Sequence, residues 1–163
     1  MAKLHIEAPE NSQNILSTVT INAPLEKVFE AYTKQELFTQ WFMRGNEVIV
    51  DKFDAVDGGA WKIGEKAEDG KVYDFGGTFH EVAENERIVW TFEFMGMPER
   101  GHVSIERSDF VKINDTTTEV KAVSTFFSVK DRDGMIASGM EDGFRQSVEA
   151  LGRLVEAKQN KHN

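Results

Sequence analysis

Cysteine is absent from the 163-residue chain, and that gap excludes disulfides, thiolate nucleophiles and Cys-built zinc sites while fitting a reducing compartment. Histidine is scarce. The four present, His5, His80, His102 and His162, show no His-x-x-x-His or facial-triad spacing, so no metal site and no cofactor are expected. Proline occurs three times, no Pro-, Ser- or Gly-rich stretch divides the chain, and no segment repeats at a fixed period, so one domain is expected over 1–163. Long apolar runs are missing too. None approaches the ~20 residues of a membrane-spanning helix, and MAKLHIEAPE lacks the apolar stretch of a signal peptide, so a cytoplasmic location without membrane association is expected. Positive charge is the minority sign, Lys+Arg 19 against Asp+Glu 28 for a net −9, and the resulting field disfavours nucleic acid and anionic headgroups. Asn114-Asp115-Thr116 has the form of a glycosylation acceptor but is read as a turn.

Aromatic residues are present in quantity. Twelve Phe and three Trp are large groups for a chain of this length, and they fill a wide interior or leave it partly hollow. Ile15 to Asn22 alternates β-branched residues, with Val19 and Ile21 on one face and Thr18 and Thr20 on the other, which predicts a first strand. Pro24 suits the first position of a helix carrying Leu25, Val28, Phe29 and Tyr32. Thr33-Lys34-Gln35-Glu36 has the capping-box form and predicts a second short helix through Leu37, Phe38, Trp41 and Phe42.

From Asn46 to Phe127 the period shortens. Apolar runs at Val48, Trp61, Tyr73, Trp90, Val103 and Val120 alternate with turn signals at Asp57-Gly58-Gly59, Asp69-Gly70 and Asn114-Asp115, predicting a six-strand antiparallel meander. Gly76-Gly77 falls inside a strand pattern and predicts a bulge or bend that could exchange the two faces. After Asp133-Gly134 the pattern is helical, with Ile136, Met140, Phe144, Leu151, Leu154 and Val155 on one stripe, and predicts one long helix; residues 1–12 and Lys158 to Asn163 read as loose ends.

The expected fold class is therefore α+β, a curved antiparallel sheet wrapped around a long C-terminal helix, with two short helices after the first strand. Several stretches carry a more specific likeness. Ile21-Asn22-Ala23-Pro24-Leu25-Glu26-Lys27-Val28-Phe29-Glu30-Ala31-Tyr32 followed by Leu37 and Trp41-Phe42 resembles the opening of proteins similar to the activator of the heat-shock-protein-90 ATPase. Asp57-Gly58-Gly59-Ala60-Trp61 looks like that family's Gly-Gly-aromatic turn. Glu81-Val82 with Glu86-Arg87-Ile88-Val89-Trp90-Thr91 resembles its strand pair, and Gly143-Phe144, Leu151 and Leu154 its closing helix; the likeness covers about residues 15–157.

The resemblance implies a START-like (SRPBCC) helix-grip domain with a deep pocket between sheet and helix, in a superfamily of co-chaperones, lipid and hormone carriers and polyketide cyclases. The binding reading places a small hydrophobic or amphipathic molecule against Trp41, Phe42, Trp61, Phe75, Phe79, Trp90, Phe92, Met140 and Phe144. A cyclase-type enzyme using the same pocket is the alternative. It needs an ionisable group inside the apolar site, for which strand position offers Tyr73, Asp74, His80, Glu81, His102 and Arg107. No catalytic residue is assigned, because no Ser-His-Asp set is signalled and the Gly-Gly pairs lack the Lys-Ser/Thr sequel of a phosphate loop. A co-chaperone-like protein partner in a stress-response setting is the third reading, and the oligomeric expectation is monomer or homodimer.

Overall fold

Along Asn14–Ile21 every second side chain is buried, Ile15, Ser17, Val19 and Ile21, and the residues between them are half-exposed, so the strand lies with one face on the core. The computed structural model describes residues 1–160 and repeats this logic across eight strands. They are β1 (Lys3–Glu7), β2 (Asn14–Ile21), β3 (Val48–Phe53), β4 (Ala60–Lys66), β5 (Val72–Ala83), β6 (Arg87–Phe94), β7 (Val103–Asn114) and β8 (Thr117–Thr125). Four helices accompany them: α1 (Leu25–Thr33), α2 (Gln35–Phe38), α3 (Val129–Ala137) and α4 (Met140–Asn160). All the strands join one antiparallel sheet in the order β1-β2-β8-β7-β6-β5-β4-β3, so β3 to β8 form the expected six-strand meander. This is the helix-grip arrangement.

Three local expectations are corrected. Residues 3–7 are not a loose end: they pair with β2 as an edge strand from Lys3↔Thr20 to Glu7↔Leu16. The start of β1 reaches α4 at Gly152, where an added Cβ would stand 3.0 Å from the Ala2 Cβ. The capping box does not form. Lys34 is the N-cap of α2, without a side-chain bond, and the Thr33 hydroxyl donates back to the Phe29 carbonyl at 3.0 Å. The single terminal helix is two, since Gly139 at φ +86° breaks it between Ala137 and Met140, a conformation that costs glycine little. Ile136 consequently lies exposed on α3, off the buried stripe of α4, which carries Ser147, Val148, Ala150, Leu151 and Val155. The charged tail read from Lys158 onward begins inside α4, and its last part, 161–163 with His162, lies outside the described residues.

The bend predicted at Gly76-Gly77 has a physical basis. An added Cβ on Gly77 would stand 2.0 Å from the Thr91 carbonyl oxygen, so only glycine lets β5 cross β6 this closely. There the Thr78 N–H donates to Thr91 Oγ1 at 2.9 Å and the Trp61 indole N–H to the Thr91 carbonyl at 3.0 Å. The exchange of faces comes three residues later. Pairing runs Phe79↔Trp90 and then Glu81↔Val89, leaving His80 as the extra residue of a bulge and turning Glu81 outward.

Candidate functional site

The aromatic part of the sheet's concave face is built from the inward residues of four adjacent strands. Val50 and Phe53 of β3 stand beside Ile63 and Trp61 of β4, Phe75 and Phe79 line β5, and Ile88, Trp90 and Phe92 line β6. Above them, the end of α2 and the segment after it drop Phe38, Trp41 and Phe42 onto the strands, with the Trp41 indole donating to the Ala31 carbonyl at 2.8 Å. The rings form one continuous set. Phe38 stacks on Phe42 at 4.4 Å between centroids, and Phe42 meets Trp90 at 5.5 Å and Trp61 at 5.7 Å. Trp61 and Trp90 lie 5.2 Å apart, Phe79 stacks on Trp90 at 6.0 Å, and Phe75 stacks on Phe92 at 5.6 Å. Each such pair contributes about 0.5–1.5 kcal/mol beyond its buried area.

Seven of the nine side chains expected in the site, Trp41, Phe42, Trp61, Phe75, Phe79, Trp90 and Phe92, thus stand together. Phe144 packs half-buried against the same core from α4, while Met140, at the helix's first residue, is half-buried and outside that packing. The deep pocket implied by resemblance is closed between these rings. A gap bordered by Tyr32, Phe38, Phe79, Ile88 and Trp90 has no room for a water molecule. Burial there pushes the Tyr32 phenol well above its ordinary range. A hollow of about 350 Å³ lies elsewhere, on the outside, between β1 and α4, lined by Met1, Ala2, Lys3, Leu4, Arg145, Val148 and Glu149.

Of the polar candidates proposed from strand position, Tyr73 alone stands on the concave side, at its exposed rim two residues before Phe75 and 6.1 Å from the Phe94 ring. His80 is exposed, and Asp74 precedes the inward Phe75 and faces outward. Glu81 accepts from Arg87 at 2.7 Å on the convex face, where Arg87 also stands 3.7 Å from Asp109 and Arg107 donates to Asp109 at 2.9 Å. His102 lies at the surface, 3.5 Å from Asp131 and 3.8 Å from Glu99. His5 sits beside Glu7 on the edge strand. Among the described residues no group of three or more His, Asp or Glu could hold a metal ion.

Two acids face inward, and the first is Glu106. On β7 the inward set is Ser104, Glu106, Ser108 and Phe110, while Val103, Ile105 and Arg107 point outward. Glu106 lies directly across from Trp90 on β6 and from Ser124 on β8. The Ser124 hydroxyl donates to Glu106 Oε1 at 2.6 Å, and Ser104 is buried two residues away on the same face. Burial raises the Glu106 pKa above the usual carboxylate range against the opposing pull of these two hydroxyls, and no basic side chain stands among the influences on it. The second inward acid, Glu65, is different. Arg44 grips both its oxygens at 2.6 and 2.8 Å and Asn46 adds a bond at 2.9 Å. Arg44 is in turn placed by α4, since its backbone N–H donates to Ser147 Oγ at 3.0 Å and its side chain passes over Gly143.

Solved structures share this architecture. A solution structure of a protein from Staphylococcus epidermidis is 27% identical, with a TM-score of 0.79 over 94% of each chain. A crystal structure from Chromobacterium violaceum is 25% identical, covering 88% of this chain and 97% of that one at a TM-score of 0.76. A third, from Rhodobacter sphaeroides, aligns at 0.82 over 95% and 99% of the two chains with 17% identity, a likeness of fold alone. No curated protein matches. Residues 22–156 match the family described as Activator of Hsp90 ATPase homolog 1-like protein, and the chain belongs to that family.

Proposed function

We propose that this protein binds a small hydrophobic or amphipathic molecule between the concave sheet face and α4, the apolar body lying against Phe42, Trp61, Trp90 and Phe92. The observation that carries the reading is the placement of an ionisable group with two serine hydroxyls directly beside a continuous aromatic wall, the mix of apolar lining and few polar groups typical of ligand sites. A half-buried carboxyl with no cation beside it is a cost that packing alone does not require. Entry requires rings to move. Phe42, Phe75, Phe92 and Phe144 are each half-buried, so they border the surface and can swing without unfolding the sheet. Gly139 supplies a pivot at the start of α4.

All three Trp lie in or against the ring set, so binding is read from their fluorescence. Titration with nonanol should give a saturable change at one molecule per chain, weakened in Phe42→Ala. A response that never saturates, or none at all, overturns the reading. A second reading has one specific observation behind it: Glu106, with its raised pKa, is placed for acid–base chemistry on a ligand in the same site. Turnover abolished in Glu106→Gln with binding retained would select the cyclase-type alternative.

A further inference from the structure

We infer that the interior site is selective for hydrophobic amines, with the Glu106 carboxylate receiving the ammonium head and the Trp90 ring lying alongside it. The inference rests on the binding reading above and adds the chemical class of the ligand.

Among the described residues, no Lys, Arg or His comes within ion-pair distance of Glu106, whereas the other inward acid, Glu65, has Arg44 and Asn46. The hydroxyl that does reach Glu106, Ser124 at 2.6 Å, is a neutral donor, as is the nearby Ser104, and hydroxyls stabilise a desolvated carboxylate without cancelling its charge. One unit of positive charge is what this site lacks. The adjacent surface is of a kind that welcomes a cation, because Trp90 stands directly opposite Glu106 and the face of an indole attracts ammonium groups. A carboxylate ligand would meet a like charge, and an alcohol would gain at most a hydrogen bond. The chain's net −9 adds a long-range bias in the same direction.

The test compares nonylamine, nonanol and nonanoate, followed by Trp fluorescence and calorimetry on wild type, Glu106→Gln and Glu149→Gln. Glu149 is exposed on α4, so its variant removes the same charge from the surface and controls for nonspecific attraction. Nonylamine should bind wild type at least tenfold more tightly than nonanol, and nonanoate should bind weakest. Glu106→Gln should erase the amine's advantage over nonanol, and Glu149→Gln should leave that advantage intact. If the three ligands bind wild type equally, or if Glu149→Gln lowers amine affinity as much as Glu106→Gln does, the amine assignment is overturned while ligand binding stands. If none of the three binds, the binding reading itself fails and takes this inference with it. The head-group ranking on wild type decides even if Glu106→Gln folds poorly.

Discussion

Replacing Glu106 by Gln keeps the side chain's shape and its acceptor toward Ser124 but removes the charge that burial penalises. The folded-state pKa is raised, so below the ordinary carboxylate value of about 4.3 the group is protonated in both folded and unfolded chains and contributes no difference. As pH rises past that value the unfolded chain releases the proton and the folded chain retains it. Stability is then lost at up to about 1.4 kcal/mol per pH unit, until the folded carboxyl also ionises. The Gln variant has no such loss. Stability differences between variant and wild type, taken from urea melts between pH 4 and pH 9, should therefore be flat at the acid end, rise in favour of Gln, and level off again. For a domain of this size each kcal/mol corresponds to roughly 2–4 °C in Tm. The carboxylates that work the opposite way cancel in the difference: Glu81, held low by its bond from Arg87, and Glu93, held low by Arg100 and then by the Gly101 N–H, are present in both proteins. A difference curve that stays flat across the range, or one favouring wild type at pH 8, would refute the claim that desolvation of the half-buried Glu106 outweighs the help of its hydroxyl partners.

Four further outcomes are expected. Truncating Arg44 to Ala leaves the buried Glu65 with Asn46 alone, and should cost about 1.5–3 kcal/mol in chemical denaturation. Gly143→Ala should stabilise by up to about 1 kcal/mol, because its nearest new neighbour, Arg44 Cδ, lies at an ordinary 3.5 Å and alanine is the better helix former. Phe144→Ala should cost less than the about 3–5 kcal/mol of a fully buried aromatic, since the ring is already half-exposed, and should change nonanol affinity; a full-sized loss with unchanged binding would return Phe144 to pure packing. Chelators and reductants should leave the Tm unmoved, with no Cys in the chain and no metal-competent cluster among the described residues.

The fold was legible where one physical signal dominated. Alternation at Val19 and Ile21, turn residues at Asp57-Gly58 and Asp69-Gly70, and the stripe through Leu151 and Val155 each led to the element observed. At Asn114-Asp115 the Thr116 N–H donates to Asn114 Oδ1 at 2.9 Å, the local bond that makes such a pair a turn. Errors arose where tertiary context outweighed a local pattern. Lys3–Glu7 is short, and although Leu4 and Ile6 alternate with polar residues, what fixes it as a strand is the open edge of β2, which lies outside its own sequence. Gly139 was read within a helix by its neighbours' periodicity, although its left-handed φ ends one helix and begins the next.

The aromatic wall and its polar neighbour differ in legibility for a reason that lies in β7. Large rings are buried almost wherever the chain places them, so Trp61, Phe79 and Trp90 could be assigned to the interior without knowing the strand register. A carboxylate's position depends wholly on register, and β7 misleads: Val103 and Ile105 look like the inward pair but lie on the convex face, Ile105 being 52% exposed, whereas Ser104, Glu106 and Ser108 face the core. Phe110 held the correct phase. Counting back in twos from that ring puts Glu106 inside, next to the β6 residue that the ring content already placed in the wall. The inversion itself bears on function. A strand selected only for stability would turn Val103 and Ile105 inward and leave Ser104 and Glu106 in water, gaining apolar burial and relieving the carboxyl of its desolvation. The opposite arrangement places hydroxyls and an acid against Trp90, at a cost that a purely structural role for β7 does not explain and that a ligand with a complementary head would offset.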